Sequence, residues 1–408
     1  MKSPRLFSLL LLAVPLATSA QETPPPVNIN AADYPSLQAA FDALPPSGGI
    51  VRIPPGDYRI RQPLVIQTPE TRIEGSGAAS HIINDNPEGQ PALLLKPSEA
   101  ALAADPKARL WRVQLADLRI SGSEQSGDGL RAEFVQEIYL NGLSIDHNGG
   151  NGIHLVSCFE NPRIANCMLT YNRDCGLRLF DCHDIIVSAN HFEENQDALH
   201  CADGFNLCAT GNNIDDHLRH GIVIENTYGS VVSGNMIEEC NGTAIILDRD
   251  CYGITLSANV IAHHLEGGID LRDAHGCNIA ANTFTIAHQF SVRVGPGSGR
   301  HSISSNTFCN TYIGDGQDKR PAEGKTPMSI DEGTGILLDG ARHITITGNS
   351  FSGLSSAAVW TQGNCRSLLI TSNMLTDCGR KLDKKASWIN VKTATPSIVK
   401  ENLIDRAP

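Results

Sequence analysis

The sequence predicts an all-β solenoid, in which short parallel strands stack coil on coil around an aliphatic core. Two repeated phrases and one compositional fact predict it. The 408 residues are 41% hydrophobic but only 5% aromatic, so Ile, Leu and Val must fill the interior. An apolar-x-x-x-Asn-x-apolar phrase recurs along the chain, with its asparagines at Asn166, Asn190, Asn212, Asn235, Asn259, Asn282, Asn306, Asn349 and Asn373. The steps between them are 22–24 residues, apart from one of 43. Self-similarity at such a period is the signature of a repeat architecture.

About ten residues before each asparagine phrase lies a four-residue phrase with apolar side chains at its second and fourth positions. It runs from Gly152, Gly176, Ala198, Gly221, Ala244, Gly268, Ser291, Gly335 and Ala358. Such alternation is that of a half-buried strand. Strands this short cannot bury anything alone; stacked at about 4.8 Å per coil, they form parallel sheets around a continuous core. The recurring asparagine then lies at one turn of each coil, where side-chain amides can hydrogen-bond along the stack.

Read in chain order, residues 1–20 form an export leader. Lys2 and Arg5 precede the apolar run Leu6–Leu16, which is too short to span a bilayer, and the small residues Thr18, Ser19 and Ala20 supply a cleavage site. Residues 21–33 read as an extended lead-in. Over 34–112 the chain reads as a cap with the first coils: Leu37, Ala40, Phe41 and Leu44 share one helical face that Pro45 ends. A strand pair turning at Gly56-Asp57 follows. The solenoid proper occupies 113–408, with a loop insertion at about 310–334 accounting for the long step. No other stretch is apolar enough for a membrane span. Twelve cysteines in an exported chain suggest disulfides, yet a chain this long does not need them, so a few bridges beside several buried thiols are expected. A net charge of −12 argues against nucleic acid or anionic membrane as a partner.

The ladder of phrases resembles the right-handed parallel β-helix proteins of the pectate-lyase-like superfamily, over roughly Val113 to Ile404. The segment YPSLQAAFDALPPSGGIVRIPPGDYRI from Tyr34 resembles their N-terminal part. The resemblance implies a single-stranded right-handed parallel β-helix of about eleven coils. It also implies an N-terminal helix that caps the open end of the solenoid. These motifs specify fold far more than chemistry.

Alternation puts the third and fifth positions of the four-residue phrase on one outward face. The third reads His154, Arg178, His200, Val223, Ile246, Asp270, Arg293 and Leu337; the fifth includes Phe180, Glu225, Asp248 and Arg272. The ionisable groups form a band about 30 Å long at the sheet spacing, enough for an extended polymer. His200, Asp248, Asp270 and Arg272 are the candidate catalytic groups, with His154, Arg178, Glu225 and Arg293 as substrate contacts. Glu225 and Asp248 should lie about 5 Å apart and Asp270 about 8 Å from Asp248, separations that do not choose between retaining and inverting hydrolysis. A lyase or epimerase needs instead a base near a uronate carboxylate and cations to neutralise it. His200, His154, Arg178, Arg272 and Arg293 fit that demand. Clustered carboxylates would allow Ca²⁺ between protein and substrate, although no loop has a calcium spacing. His263-His264-x-Glu266 offers a metal-ligand spacing that a turn surface explains as well. The run Asp181-Cys182-His183-Asp184 loosely resembles the Asp-Pro-His-Asp run of mannuronan C5-epimerases, with Cys in place of Pro.

The expected protein is an exported monomer acting on a uronate-containing polysaccharide, foremost as a lyase by β-elimination. A glycoside hydrolase or C5-epimerase on the same scaffold is the alternative, and a non-catalytic glycan-binding solenoid is the third.

Overall fold

A computed structural model describes residues 27–310, 333–393 and 396–406. The leader, lead-in residues 21–26 and insertion residues 311–332 lie outside the described residues. Each coil contributes one short strand to each of three long sheets of 15, 14 and 13 strands, in which neighbours are successive coils. The pairing is parallel throughout, from Asn28–Asn30 against Gly49–Arg52 at one end to Met374–Thr376 against Leu403–Asp405 at the other. That makes about fourteen turns rather than eleven. The asparagine phrase undercounts because the early coils are built without it. Where later coils carry the ladder asparagine, Leu118, Leu143 and Cys167 fill the buried position. The residue before it keeps the same left-handed backbone: Asp117, Gly142, Asn166, Ala189, Gly211 and Gly234 all have φ between 53° and 67°.

The ladder itself runs Asn190, Asn212, Asn235, Asn259, Asn282, Asn306, Asn349, Asn373 and on to Asn402. Asn235 is typical: its Nδ2 donates to Asn259 Oδ1 at 3.0 Å and to Ala209 O at 3.1 Å, and its backbone N–H donates to Asn259 Oδ1 at 3.0 Å. Asn166 is not a member. It occupies the left-handed position one residue early, a conformation Asn tolerates, and is exposed, while Cys167 N–H donates to Asn190 Oδ1 at 2.9 Å. The 43-residue step leaves the ladder unbroken, because Asn306 Nδ2 reaches Asn349 Oδ1 at 3.0 Å.

The short helix Leu37–Asp42 starts at Ser36, whose hydroxyl accepts from Ala39 N–H, and buries Leu37, Ala40 and Phe41 against the first coils. Gln38 spans the free edge of the third sheet: its Oε1 accepts from Val65 N–H at 2.8 Å and its Nε2 donates to Val65 O at 3.0 Å. One side chain thus occupies both groups that a further strand would pair with. The lead-in is already part of the stack, since Asn28–Asn30 forms a strand of the first sheet. Gly56-Asp57 does not turn a hairpin. It opens the strand Gly56–Ile60 of the second sheet, whereas Gly49–Arg52 belongs to the first; parallel coils turn a corner between sheets instead of doubling back.

All twelve cysteines are free thiols, ten of them buried, so the expected bridges are absent. Inside the coil they act as small apolar residues: Cys158 and Cys182 stack on adjacent coils and donate to main-chain oxygens. A second buried amide column, Asn148, Asn172 and Asn195, lies at the turn between the second and third sheets. It continues through His217, Cys240 and His264.

Two outcomes are expected. Asn259→Ala leaves Asn235 N–H unpaired and takes an acceptor from the Asn235 amide, and should cost at least about 1–3 kcal/mol in chemical denaturation. Asn166→Ala should cost clearly less, since it gives up only an exposed bond to Asn141 Oδ1 and alanine holds the same left-handed position at Ala189. Burial lowers the pKa of His217, His264 and His301 from 6.5 to about 4. Between those values only the unfolded chain binds the protons, so stability is full above pH 6.5 and declines toward pH 4. His217→Asn should flatten that decline, measured as the urea midpoint against pH.

Candidate active site

The third sheet builds the outward column in the expected order. Arg131, His154, Arg178, His200, Val223, Ile246, Asp270, Arg293 and Leu337 are partners on successive strands. Glu225 and Asp248 are partners one coil apart in the second column, and Arg272 follows just beyond the strand Gly267–Leu271. Buried Val223 and Ile246 separate His200 from Asp270 by three coils, about 14 Å at the sheet spacing. These two groups therefore cannot serve one bond, and the band resolves into two clusters.

The first cluster centres on Arg178. His154 and His200 flank it on the neighbouring coils, each next to a carboxylate: His154 Nδ1 lies 3.2 Å from Asp128 Oδ2, and His200 Nε2 lies 3.1 Å from Glu225 Oε2. Arg249 also reaches Glu225, at 3.4 Å. Burial pushes the Asp128 carboxyl up, but hydrogen bonds with His154 and Asn151 outweigh it and hold the group below the usual carboxylate range. Asp197 behaves likewise. Burial raises it, and the Arg219 guanidinium together with the His220 N–H more than compensates. Arg178 makes no ion pair or hydrogen bond among the described residues.

The second cluster holds Asp270 between two arginines, with Oδ2 2.9 Å from Arg272 Nε and 3.7 Å from an Arg293 nitrogen. Its Oδ1 is buried without a partner, as is Arg293 Nε. Glu225 and Asp270 each face arginine or histidine. Asp248 accepts the Arg249 N–H at 2.8 Å. The carboxylates lie deep and the cations above them. Asp128, Asp197 and Asp270 side chains are 11%, 1% and 2% exposed, against 48%, 59% and 41% for Arg219, Arg249 and Arg272.

Asp128, Arg131, Cys175, Asp197, Arg219 and His220 escaped the sequence reading. A signal was present: Asp128, Cys175, Asp197 and His220 each immediately precede the first residue of a four-residue phrase, and GLRA from Gly129 is itself an earlier copy. Three groups bring one donor atom from each of three residues within 4.8 Å: Cys175, Asp197 and His200; Glu238, Glu239 and His263; Asp215, Asp216 and Glu239. Glu225, Asp248 and Asp270 are not such a group. His263 and Glu266 do not converge with His264, which is buried with Nε2 on Ile237 O, while Glu266 faces Thr243. His183 of the Asp181–Asp184 run stands outside the column, in an aromatic strip between Phe159 at 4.4 Å and Phe205 at 4.7 Å.

A family model described as right handed beta helix region matches residues 112–229. The chain is a right-handed parallel β-helix. A second model, described as periplasmic copper-binding protein (NosD), matches residues 183–317. Among solved structures, this β-helix is similar to the mannuronan C-5 epimerase AlgE6 A-module of Azotobacter vinelandii, with TM-score 0.56, 15% identity, and 93% of this chain and 99% of that one covered. The catalytic unit of a GH87 alpha-1,3-glucanase from Streptomyces thermodiastaticus gives TM-score 0.59, 15% identity, and coverage of 95% and 72%. Bacteriophage phi29 gene product 12 gives 0.61 and 12%, with 91% of this chain covering just over half, 56%, of that one. At these identities the likeness is one of fold. Among the described residues no helix is long and apolar enough to cross a membrane.

The buried Asp197–Arg219 pair gives an asymmetric expectation. Arg219→Ala strands a carboxylate that is 1% exposed and should cost about 3 kcal/mol or more in thermal denaturation. Asp197→Asn leaves an arginine that water can reach and keeps an acceptor for the His220 N–H, so its cost should be clearly smaller.

Proposed function

We propose that the outward face of the third sheet belongs to an exported, monomeric enzyme that acts on an acidic polysaccharide as a β-eliminating lyase. The observation that carries the reading is Arg178, a guanidinium with no partner among the described residues, between two histidines that each have a carboxylate. In a chain of net charge −12, an uncompensated groove cation is an attachment point for a substrate carboxylate. β-Elimination requires that carboxylate to be neutralised while a base removes the proton on the adjacent carbon. Arg178 supplies the first function. His154 supplies the second: its Nδ1 lies 3.2 Å from both Asp128 Oδ2 and Arg131 Nη1, and in the form that donates Nδ1–H to Asp128 the Nε2 lone pair takes the proton. Asp270, Arg272 and Arg293, farther along the same column, form a second subsite on the polymer. The apolar interval at Val223 and Ile246 gives sugar faces a surface between the charged subsites. The apolar run at 6–16 and the NosD likeness over 183–317 support export.

A hydrolase is the second reading, favoured by one observation: Glu225 and Asp248 are partners on adjacent coils, a separation in the range of retaining glycosidases. The mature protein assayed against alginate, pectate and glycosaminoglycans separates the cases. Ultraviolet absorbance from an unsaturated product is the expected signal. Reducing ends without it indicate hydrolysis, and binding with neither supports a glycan-binding solenoid. On the substrate found, Arg178→Ala and His154→Gln should each lower kcat/KM about 10²–10⁴-fold. Wild-type turnover in both would remove the first cluster from the chemistry.

A further inference from the structure

One cluster in the groove has no part in that acid–base scheme. Cys175 and Asp197 immediately precede Gly176 and Ala198 on adjacent coils, and His200 follows on the strand Leu199–Ala202. Together they bring a thiol sulfur, a carboxylate oxygen and a ring nitrogen within 4.8 Å of one another. Cys175 and Asp197 are fully buried, and His200 is partly open to the groove.

We propose that Cys175, Asp197 and His200 form a binding site for a thiophilic divalent transition-metal ion of the zinc type, with a further coordination position open toward the groove. Charge is compatible with it: thiolate and carboxylate oppose the divalent ion, and the positive charge that Arg219 brings to Asp197 is offset by Glu225 behind His200. The remaining hydrogen bonds support it independently. His200 commits Nε2 to Glu225, which leaves Nδ1 to bind. Asp197 Oδ1 accepts from Arg219 Nε and from His220 N–H, and Oδ2 accepts one further Arg219 nitrogen. A carboxylate accepts about four hydrogen bonds, so a lone pair on Oδ2 remains. A ligand histidine backed by a carboxylate, and a ligand carboxylate fixed by its own partners, is how proteins orient zinc ligands. Burial keeps the Cys175 thiol protonated, reinforced by Asp174 and Asp197. Those carboxylates favour any cation there, and a metal ion takes the proton's place: the S–H bond breaks, the metal–thiolate bond forms, and the proton leaves to solvent. The sulfur donor selects against Ca²⁺, which takes oxygen ligands. Arg178 lies in the same column as His200, so ion and guanidinium would hold one substrate carboxylate together. That last step rests on the lyase reading; metal binding itself does not.

The experiment uses no polysaccharide. Chelator-treated mature protein is titrated with Co²⁺, then with Zn²⁺, following absorbance, proton release and metal content. One Co²⁺ per chain is expected, with a near-ultraviolet thiolate-to-cobalt charge-transfer band, one proton released per ion, and displacement by Zn²⁺. Cys175→Ser should abolish the band. Glu225→Gln should weaken Zn²⁺ binding about 10–100-fold. His263→Ala, in the separate surface cluster, should change nothing, with circular dichroism checking that each variant is folded. A folded wild type without the band, a band that survives Cys175→Ser, or an ion lost in His263→Ala would overturn the site. Any of these leaves the polysaccharide assay to stand or fall by itself.

Discussion

The asparagine ladder is the constraint on which the coil stack depends. At each turn between the first and second sheets the backbone enters a left-handed conformation and buries the next residue. The N–H of that buried residue takes its acceptor from the next coil's side chain and not from main chain. Each ladder asparagine accepts the N–H and amide of the coil before it and donates to the coils on both sides, so every amide settles its neighbour's polar groups as well as its own. The chain of bonds extends from Cys167 to Asn402. It also fixes register, because a slip of one residue would withdraw the amide and turn every strand side chain to the opposite face.

That fixed register makes one outward column out of residues some 23 positions apart. Once His154, Arg178 and His200 are partners on successive strands, their relative placement is set by the main chain and needs no loop to hold it. The protein then sorts charge by depth. Carboxylates short enough to stay under the surface are buried against the sheet, and the longer arginines lie over them. Water is displaced from the acids first, and each ion pair offsets the desolvation of its carboxylate. The outward layer is therefore cationic although the chain as a whole is acidic.

Interior polarity follows the same logic at the opposite turn. Asn148, Asn172 and Asn195 form a short amide column, and His217, Cys240 and His264 continue it. Burial keeps both histidines neutral. The cysteines are an aspect of packing in the same way. A thiol is small enough for positions where consecutive coils approach closely, so twelve cysteines do not translate into bridges here.

Period and alternation alone determined the parallel stack, the aliphatic core and the members of the outward column, because each coil repeats the same local pattern. The sequence undercounted the coils and misplaced Asn166, since Leu118, Leu143 and Cys167 occupy the ladder position without its signature residue. Only the tertiary structure decided what each charged group does. Depth, partner and orientation depend on neighbours one coil away, which no local pattern encodes. Arg178 and Arg219 are equally plain arginines in the sequence; Arg219 is bound to the buried Asp197 carboxylate, whereas Arg178 makes no ion pair or hydrogen bond among the described residues.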